Sequence, residues 1–260
     1  MNQQTIDMLT DMKLSAMATE FAAQLKDTSF NALSFEERFS MAVTAEWNKR
    51  QTNKVNRLIK KAHLGAPSAT VEGIEYYEDN KLDKSQMLRL STCKYIDEGH
   101  HVILEGASGN GKTYIACALG NAACRRFMKV TYIRMPELLD ELTVARSSGE
   151  LKKLLAFYKK VDLLILDEWL IRLLTPQESY DLLEIAEARS QRSMIFCTQY
   201  QPVGWYTRID PNPESDSPIS EAIMDRIVHN SYKILIDGRI SIRERKGLKA
   251  SMQEGGSDNG

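Results

Sequence analysis

Gly106-Ala107-Ser108-Gly109-Asn110-Gly111-Lys112-Thr113 reads G-x-x-x-x-G-K-T, with the apolar run Val102-Ile103-Leu104 before it and the helix-favouring Tyr114-Ile115-Ala116-Cys117-Ala118-Leu119 after it. No other stretch constrains the fold as much, because the motif demands a strand, a tight loop and a helix in that order. A loop with little Cβ bulk lets backbone N–H groups approach a triphosphate closely, and the helix that follows points its positive end at the phosphates. The expected cradle runs from Gly106 to Thr113 and on to Tyr114. Lys112 is expected to hold the β- and γ-phosphates, and the Thr113 hydroxyl to coordinate Mg²⁺.

The rest of the chain fits that setting. Further strand-like runs occur at Val130 to Ile133, Leu163 to Leu166, Met194 to Cys197 and Ile234 to Ile236, separated by helical stretches. Strands alternating with helices predict an α/β fold with a parallel five-stranded sheet flanked by helices. Upstream, Met8 to Leu25 and Ser34 to Leu64 carry helical periodicity, the second opening with a capping box from Ser34 and Glu37. The small-residue stretch Gly65-Ala66-Pro67-Ser68-Ala69-Thr70 predicts a boundary. The expected organisation is a small all-α module over 1–66, a P-loop domain over 67–250 and a disordered tail over 251–260. Thr175-Pro176-Gln177-Glu178 marks another helix start, with N-cap, N1 proline and capping-box glutamate in order.

A second chemical element is Val161-Asp162-Leu163-Leu164-Ile165-Leu166-Asp167-Glu168, an apolar strand ending in two acids. At the carboxyl end of a strand expected beside the P-loop strand, Asp167 would hold Mg²⁺ and Glu168 would polarise the attacking water. Glu168 favours a hydrolytic machine over a small-molecule kinase, whose acceptor is a substrate hydroxyl. Asn80-Lys81-Leu82-Asp83 matches a guanine-reading string, but it lies upstream of the P-loop, where such a reader does not belong.

The formal net charge is -1, so any surface for nucleic acid must be local. One such surface is readable: Trp47 to Val71 holds no acid but includes Lys49, Arg50, Lys54, Arg57, Lys60 and Lys61. Arg50, Lys54, Arg57 and Lys61 are spaced four, three and four apart and share one helix face. Phosphate contacts from such a face give sequence-independent, salt-sensitive binding. A second basic cluster is Arg239, Arg243, Arg245, Lys246 and Lys249. Cys93, Cys117, Cys124 and Cys197 form no C-x-x-C pair, and no long apolar segment or signal peptide is present, so reduced, mostly buried thiols in a soluble cytoplasmic protein are expected.

From about Ser34 to Arg243 the chain resembles the IstB-like transposition helper ATPases, AAA+ proteins related to the DnaC helicase loaders and DnaA initiators. The resemblance is carried by Phe35-Glu36-Glu37-Arg38, by Glu46-Trp47 with the basic helix after it, by the P-loop, by the Asp167-Glu168 strand, and by Ala222-Ile223-Met224-Asp225-Arg226-Ile227-Val228-His229. It implies an ATPase that assembles on double-stranded DNA as an ATP-dependent homo-oligomer and serves an integrase-type transposase in target selection. The alternative within the same resemblance is a DnaC-like replicative helicase loader. The resemblance further implies that Arg226 acts in trans on a neighbouring subunit's γ-phosphate, and that Arg243, in Ser241-Ile242-Arg243, is a second nucleotide sensor. Gln199 stands where the family usually has a water-orienting Asn, and its amide offers the same groups at longer reach. Trp169 stands where a smaller or aliphatic residue is commoner. The short stretch after Ile236 implies a minimal C-terminal lid.

Overall fold

A computed structural model describes residues 2–212 and 217–238. In chain order the elements are α1 (Asn2–Asp11), α2 (Ser15–Lys26), α3 (Phe35–Ala62), α4 (Lys84–Ser91), α5 (Lys94–Asp97), β1 (His101–Gly106), α6 (Lys112–Arg125), β2 (Val130–Arg134), α7 (Met135–Ser147), α8 (Leu151–Lys160), β3 (Leu163–Trp169), α9 (Pro176–Ala188), β4 (Ser193–Thr198), α10 (Tyr206–Ile209), α11 (Ile219–Val228) and β5 (Ser231–Ile236). Two compact units divide after Arg57, inside α3.

In the first unit, the helical pattern from Met8 to Leu25 proves to be two helices. Lys13 adopts a left-handed φ of 61° and the Leu14 N–H returns to Leu9 O at 2.8 Å, which closes α1 and turns the chain into α2. A glycine would have announced this turn; a lysine in the same conformation did not. The buried carboxylate of Glu46 on α3 then caps α2, accepting from Ala16 N at 2.9 Å while also holding Arg50 Nε at 2.8 Å. Arg50 foremost, with the two backbone N–H groups, keeps the Glu46 carboxyl below its ordinary range. The Ser34/Glu37 capping box is present at the start of α3, with Ser34 N donating to Glu37 Oε2 at 2.8 Å and Glu37 N to Ser34 Oγ at 3.2 Å.

In the second unit, five parallel strands lie in the order β2-β3-β4-β1-β5. Alternate residues of each central strand go to opposite faces, and both faces are dry. Val102, Leu104, Leu163, Ile165, Ile195 and Cys197 join one core with α4, α5 and α6, while Ile103, Leu164, Leu166, Met194 and Phe196 join the other with α7, α9 and α11. That burial explains why the strands read as continuous apolar runs rather than alternating ones. Ala62, Leu64, Ala69, Val71 and Ile74 are buried in the first of these cores. The Thr175 capping box forms as expected. All four cysteines are free and buried.

One expectation is corrected by the strand order. β3 does not neighbour the P-loop strand: it pairs with β2 and β4, and β4 separates it from β1. The acids still reach the P-loop because all five strands end at the same sheet edge and α6 crosses back over β3 and β4. The proposed lid element, with Arg239, Arg243 and the later basic cluster and tail, lies outside the described residues.

Candidate functional site

The loop between β1 and α6 needs its glycines individually. Gly109 and Gly111 hold φ of 83° and 86°, a region that disfavours side chains. Gly106 has an ordinary φ but no room, since a Cβ there would meet the Ile236 carbonyl oxygen of β5 at 2.4 Å. Asn110 Nδ2 donates to the same carbonyl at 3.1 Å, pinning the loop to β5.

Lys112, the first residue of α6, is 9% exposed and donates from Nζ to Gly106 O and Ala107 O, both at 2.8 Å. Burial, above all, holds its pKa below the ordinary lysine value. Among the described residues no carboxylate forms an ion pair with it. A desolvated ammonium bonded only to neutral carbonyls is costly by itself and is matched to an incoming anion. Its neighbour Thr113 donates from Oγ1 to Asp167 Oδ2 at 2.7 Å, so the two oxygen groups expected to hold Mg²⁺ are side by side.

The end of β3 is irregular. Pairing with β4 shifts between Leu166 and Trp169, and Glu168 takes a left-handed φ of 56°. Its N–H turns back to Asp167 Oδ1 at 2.8 Å, while its carboxylate meets Arg134 Nε at 3.1 Å. Gln199 lies just past β4, exposed, with no side-chain hydrogen bond among the described residues. Ser108, Gly109, Gly111, Lys112, Thr113, Tyr114, Asp167, Glu168 and Gln199 all line one cleft of about 370 Å³, together with Trp169. Gly106, Ala107 and Asn110 complete the loop beneath it. Trp169 packs its ring against Phe196 and Trp205, with centroids 4.6 and 5.5 Å away, so it belongs chiefly to the core.

Sequence reasoning missed two residues of β2. Tyr132 donates its hydroxyl to Asp167 Oδ2 at 2.7 Å, and Arg134 is the partner of Glu168. Burial, with Asp167 beside it, pushes the Tyr132 phenol far up, so it remains a donor. The available signal was position: Arg134 is in register with Asp167, at the carboxyl edge of a parallel sheet where polar residues serve ligands.

Arg226 stands apart from this cleft. It lies on α11, with Nε 2.6 Å from Glu187 Oε2 and a second nitrogen on Ala222 O at 2.8 Å. Lys49, Arg50, Lys54, Arg57, Lys60 and Lys61 are all exposed along α3. Within the first unit Arg50 holds Glu46 and Lys13 O, and Lys49 reaches Ser15 Oγ at 2.9 Å. No helix among the described residues is long and apolar enough to cross a membrane.

Comparison with known proteins agrees with this construction. The chain is 34% identical over 246 residues to an insertion sequence ATP-binding protein of Sinorhizobium fredii, covering 95% of this chain and 98% of that one. It is 32% identical over 222 residues to the ATP-binding protein of insertion sequence IS1162 from Pseudomonas fluorescens, covering 85% and 96%. Among solved structures, AMPPCP-bound DnaA from Aquifex aeolicus superposes with a TM-score of 0.54 at 19% identity, over 76% of this chain and 58% of that one. DnaI does so with 0.53 at 22% identity, over 66% and 89%. The two structural likenesses show that the α/β fold is the one DnaA and DnaI share. Residues 7–250 match the family described as IstB-like ATP binding protein, and the chain, with its P-loop and acid-tipped β3 in one cleft, belongs to that family.

Proposed function

We propose that the protein is a Mg²⁺-dependent ATPase that assembles on double-stranded DNA when ATP is bound and serves an insertion-sequence transposase as a target-selecting helper. The observation that carries the nucleotide part is Lys112, a buried cation with no ion-paired acid among the described residues, set beside Thr113 and Asp167. Lys112 turns from the loop carbonyls to the β- and γ-phosphates, and Thr113 and Asp167 hold Mg²⁺. When bound, Mg²⁺ supplies positive charge against the phosphate oxygens. Glu168 accepts a proton from the attacking water, and Gln199, at the rim, hydrogen-bonds that water. Tyr114 lines the same cleft beside the cradle.

Arg226 lines no part of its own cleft, which supports action on a neighbouring subunit's nucleotide. The exposed basic residues of α3 support contact with phosphates, and the insertion-sequence relatives support the transposition setting. Arg243 is assigned the second sensor role on resemblance alone. A mixing experiment tests the oligomeric site. Lys112→Ala loses nucleotide binding, and Arg226→Ala binds nucleotide but hydrolyses it poorly. Mixed together, they recover part of the wild-type ATPase rate through interfaces that pair an intact P-loop with an intact arginine. No recovery in confirmed mixed assemblies overturns action in trans.

A further inference from the structure

Asp167 is held on both oxygens. Oδ1 accepts from the Glu168 N–H at 2.8 Å, and Oδ2 accepts from Thr113 Oγ1 and from the Tyr132 hydroxyl, each at 2.7 Å. The three donors fix the carboxylate plane. The Tyr132 hydroxyl also faces a segment outside the P-loop and β3. A Cβ placed on Gly65 would meet Tyr132 OH at 2.8 Å and Cζ at 2.9 Å. Gly65 has no positive φ, so its backbone does not require glycine. The requirement at this position comes from the tyrosine. Gly65 begins the stretch that follows α3, in which Ala66 lines the nucleotide cleft and donates its N–H to Cys117 Sγ of α6 at 3.4 Å. Further along, Thr70 N approaches the Tyr114 hydroxyl at 3.5 Å, and a Cβ on Gly73 would meet that hydroxyl at 2.4 Å. Thus the 65–73 stretch rests on two phenols, one bonded to the metal carboxylate and one on the wall of the nucleotide cleft.

We propose that Tyr132 is a positioning residue for Asp167, and that its hydroxyl, seated against Gly65, ties the conformation of residues 65–73 to cation binding at Asp167. The inference rests on Asp167 being a Mg²⁺ ligand, as proposed above. When Asp167 turns Oδ2 toward the cation, the phenol that follows it moves within a slot whose floor is the Gly65 Cα. The segment shifts with the ring, because the gap between them is too narrow even for a methyl group. A side chain at 65 would displace the ring in the opposite sense and take the donor from Asp167.

The test uses the full-length protein and a fluorescent ATP analogue, with affinity measured across a Mg²⁺ titration and in EDTA. Tyr132→Phe keeps the ring and removes the donor. Loss of an outer hydrogen bond to a metal ligand weakens metal affinity by about tenfold or more. Half-maximal Mg²⁺ enhancement of nucleotide affinity should therefore require about tenfold more Mg²⁺, with affinity in EDTA unchanged. Gly65→Ala should give the same shift, and the double variant no further one, since both act on one hydrogen bond. Hydrogen exchange of the amides of residues 65–73 should respond to Mg²⁺-nucleotide in the wild type and not in Tyr132→Phe. Unchanged Mg²⁺ dependence in Tyr132→Phe overturns the positioning role. Exchange in that stretch that responds equally in both proteins, or a double variant whose shifts add, overturns the tie to Gly65. A wild-type protein that binds nucleotide with no Mg²⁺ dependence refutes instead the assignment of Asp167 on which the inference stands.

Discussion

Acidification should strike the second unit at His101, the first residue of the P-loop strand. The imidazole is 1% exposed, its Nδ1 accepts from the Met194 N–H of β4 at 3.1 Å, and its ring stands edge-on to Phe196. Nδ1 is therefore the unprotonated nitrogen, and protonating it would set two donors against each other. Burial brings the pKa down to about 4, opposed by a hydrogen bond to the Arg226 backbone. The unfolded chain has an ordinary histidine at about 6.5. Because the folded value is the lower, the unfolded state binds more protons between these limits, and stability falls as pH drops from about 6.5 to about 4. At pH 5 the unfolded imidazole is about 1.5 units below its own pKa, which at about 1.4 kcal/mol per unit is a loss of about 2 kcal/mol. Urea unfolding at pH 7, 6 and 5, followed by the fluorescence of buried Trp169 and Trp205, measures it. His101→Gln keeps an acceptor for Met194 but cannot titrate, so its stability should fall by about 2 kcal/mol less than the wild type over the same range. Equal slopes in the two proteins would refute the account, because carboxylates common to both would then explain the whole acid response.

Three further outcomes follow from the same geometry. Gly106→Ala should cost about 2 kcal/mol in chemical unfolding, since its methyl would lie 2.4 Å from the Ile236 carbonyl and must push β5 from β1. Glu168→Gln, which keeps an acceptor for Arg134, should bind ATP as the wild type does but release phosphate about a hundredfold more slowly; ordinary turnover would remove Glu168 from the chemistry. Arg57→Glu with Lys61→Glu, chosen because Arg50 is occupied with Glu46, should abolish ATP-dependent binding to duplex DNA and flatten its salt dependence in a filter or anisotropy assay, with nucleotide affinity intact.

What could be read from the sequence was whatever is enforced locally or by burial. The apolar runs of β1, β3 and β4 became strands because both sheet faces are dry there, and the capping boxes at Ser34 and Thr175 formed because their donors and acceptors lie within one helical turn. The P-loop and the acids at the tip of β3 carry their own geometry. The order of the strands did not, since a crossover helix of one length can return to the next strand or the one beyond it, and the pattern 2-3-4-1-5 was fixed only by tertiary packing. The turn at Lys13 was hidden because a lysine adopted a conformation usually marked by glycine. Tyr132 and Arg134 escaped for a related reason: each looks like an ordinary strand residue until the register of β2 on β3 sets it beside an acid.

The Arg226–Glu187 pair joins α11 to α9 with both partners partly in solvent, the side chains 33% and 61% exposed. An ion pair so placed contributes less than about 1 kcal/mol, because water already serves both charges and two long side chains must be held still. An arginine meant to be fixed in the fold would be buried as Arg189 is, fully covered and donating to the carbonyls of Tyr158, Val161 and Ser193. Arg226 has the opposite character: it is held in a defined place by a bond cheap to exchange. On the proposal that it serves a neighbouring subunit's nucleotide, that is the energetics required. Leaving Glu187 for a phosphate costs little of the gain, while a guanidinium already ordered on α11 loses less freedom when it docks than an unpaired one would. Glu187→Ala should accordingly leave folding stability within about 0.5 kcal/mol of wild type.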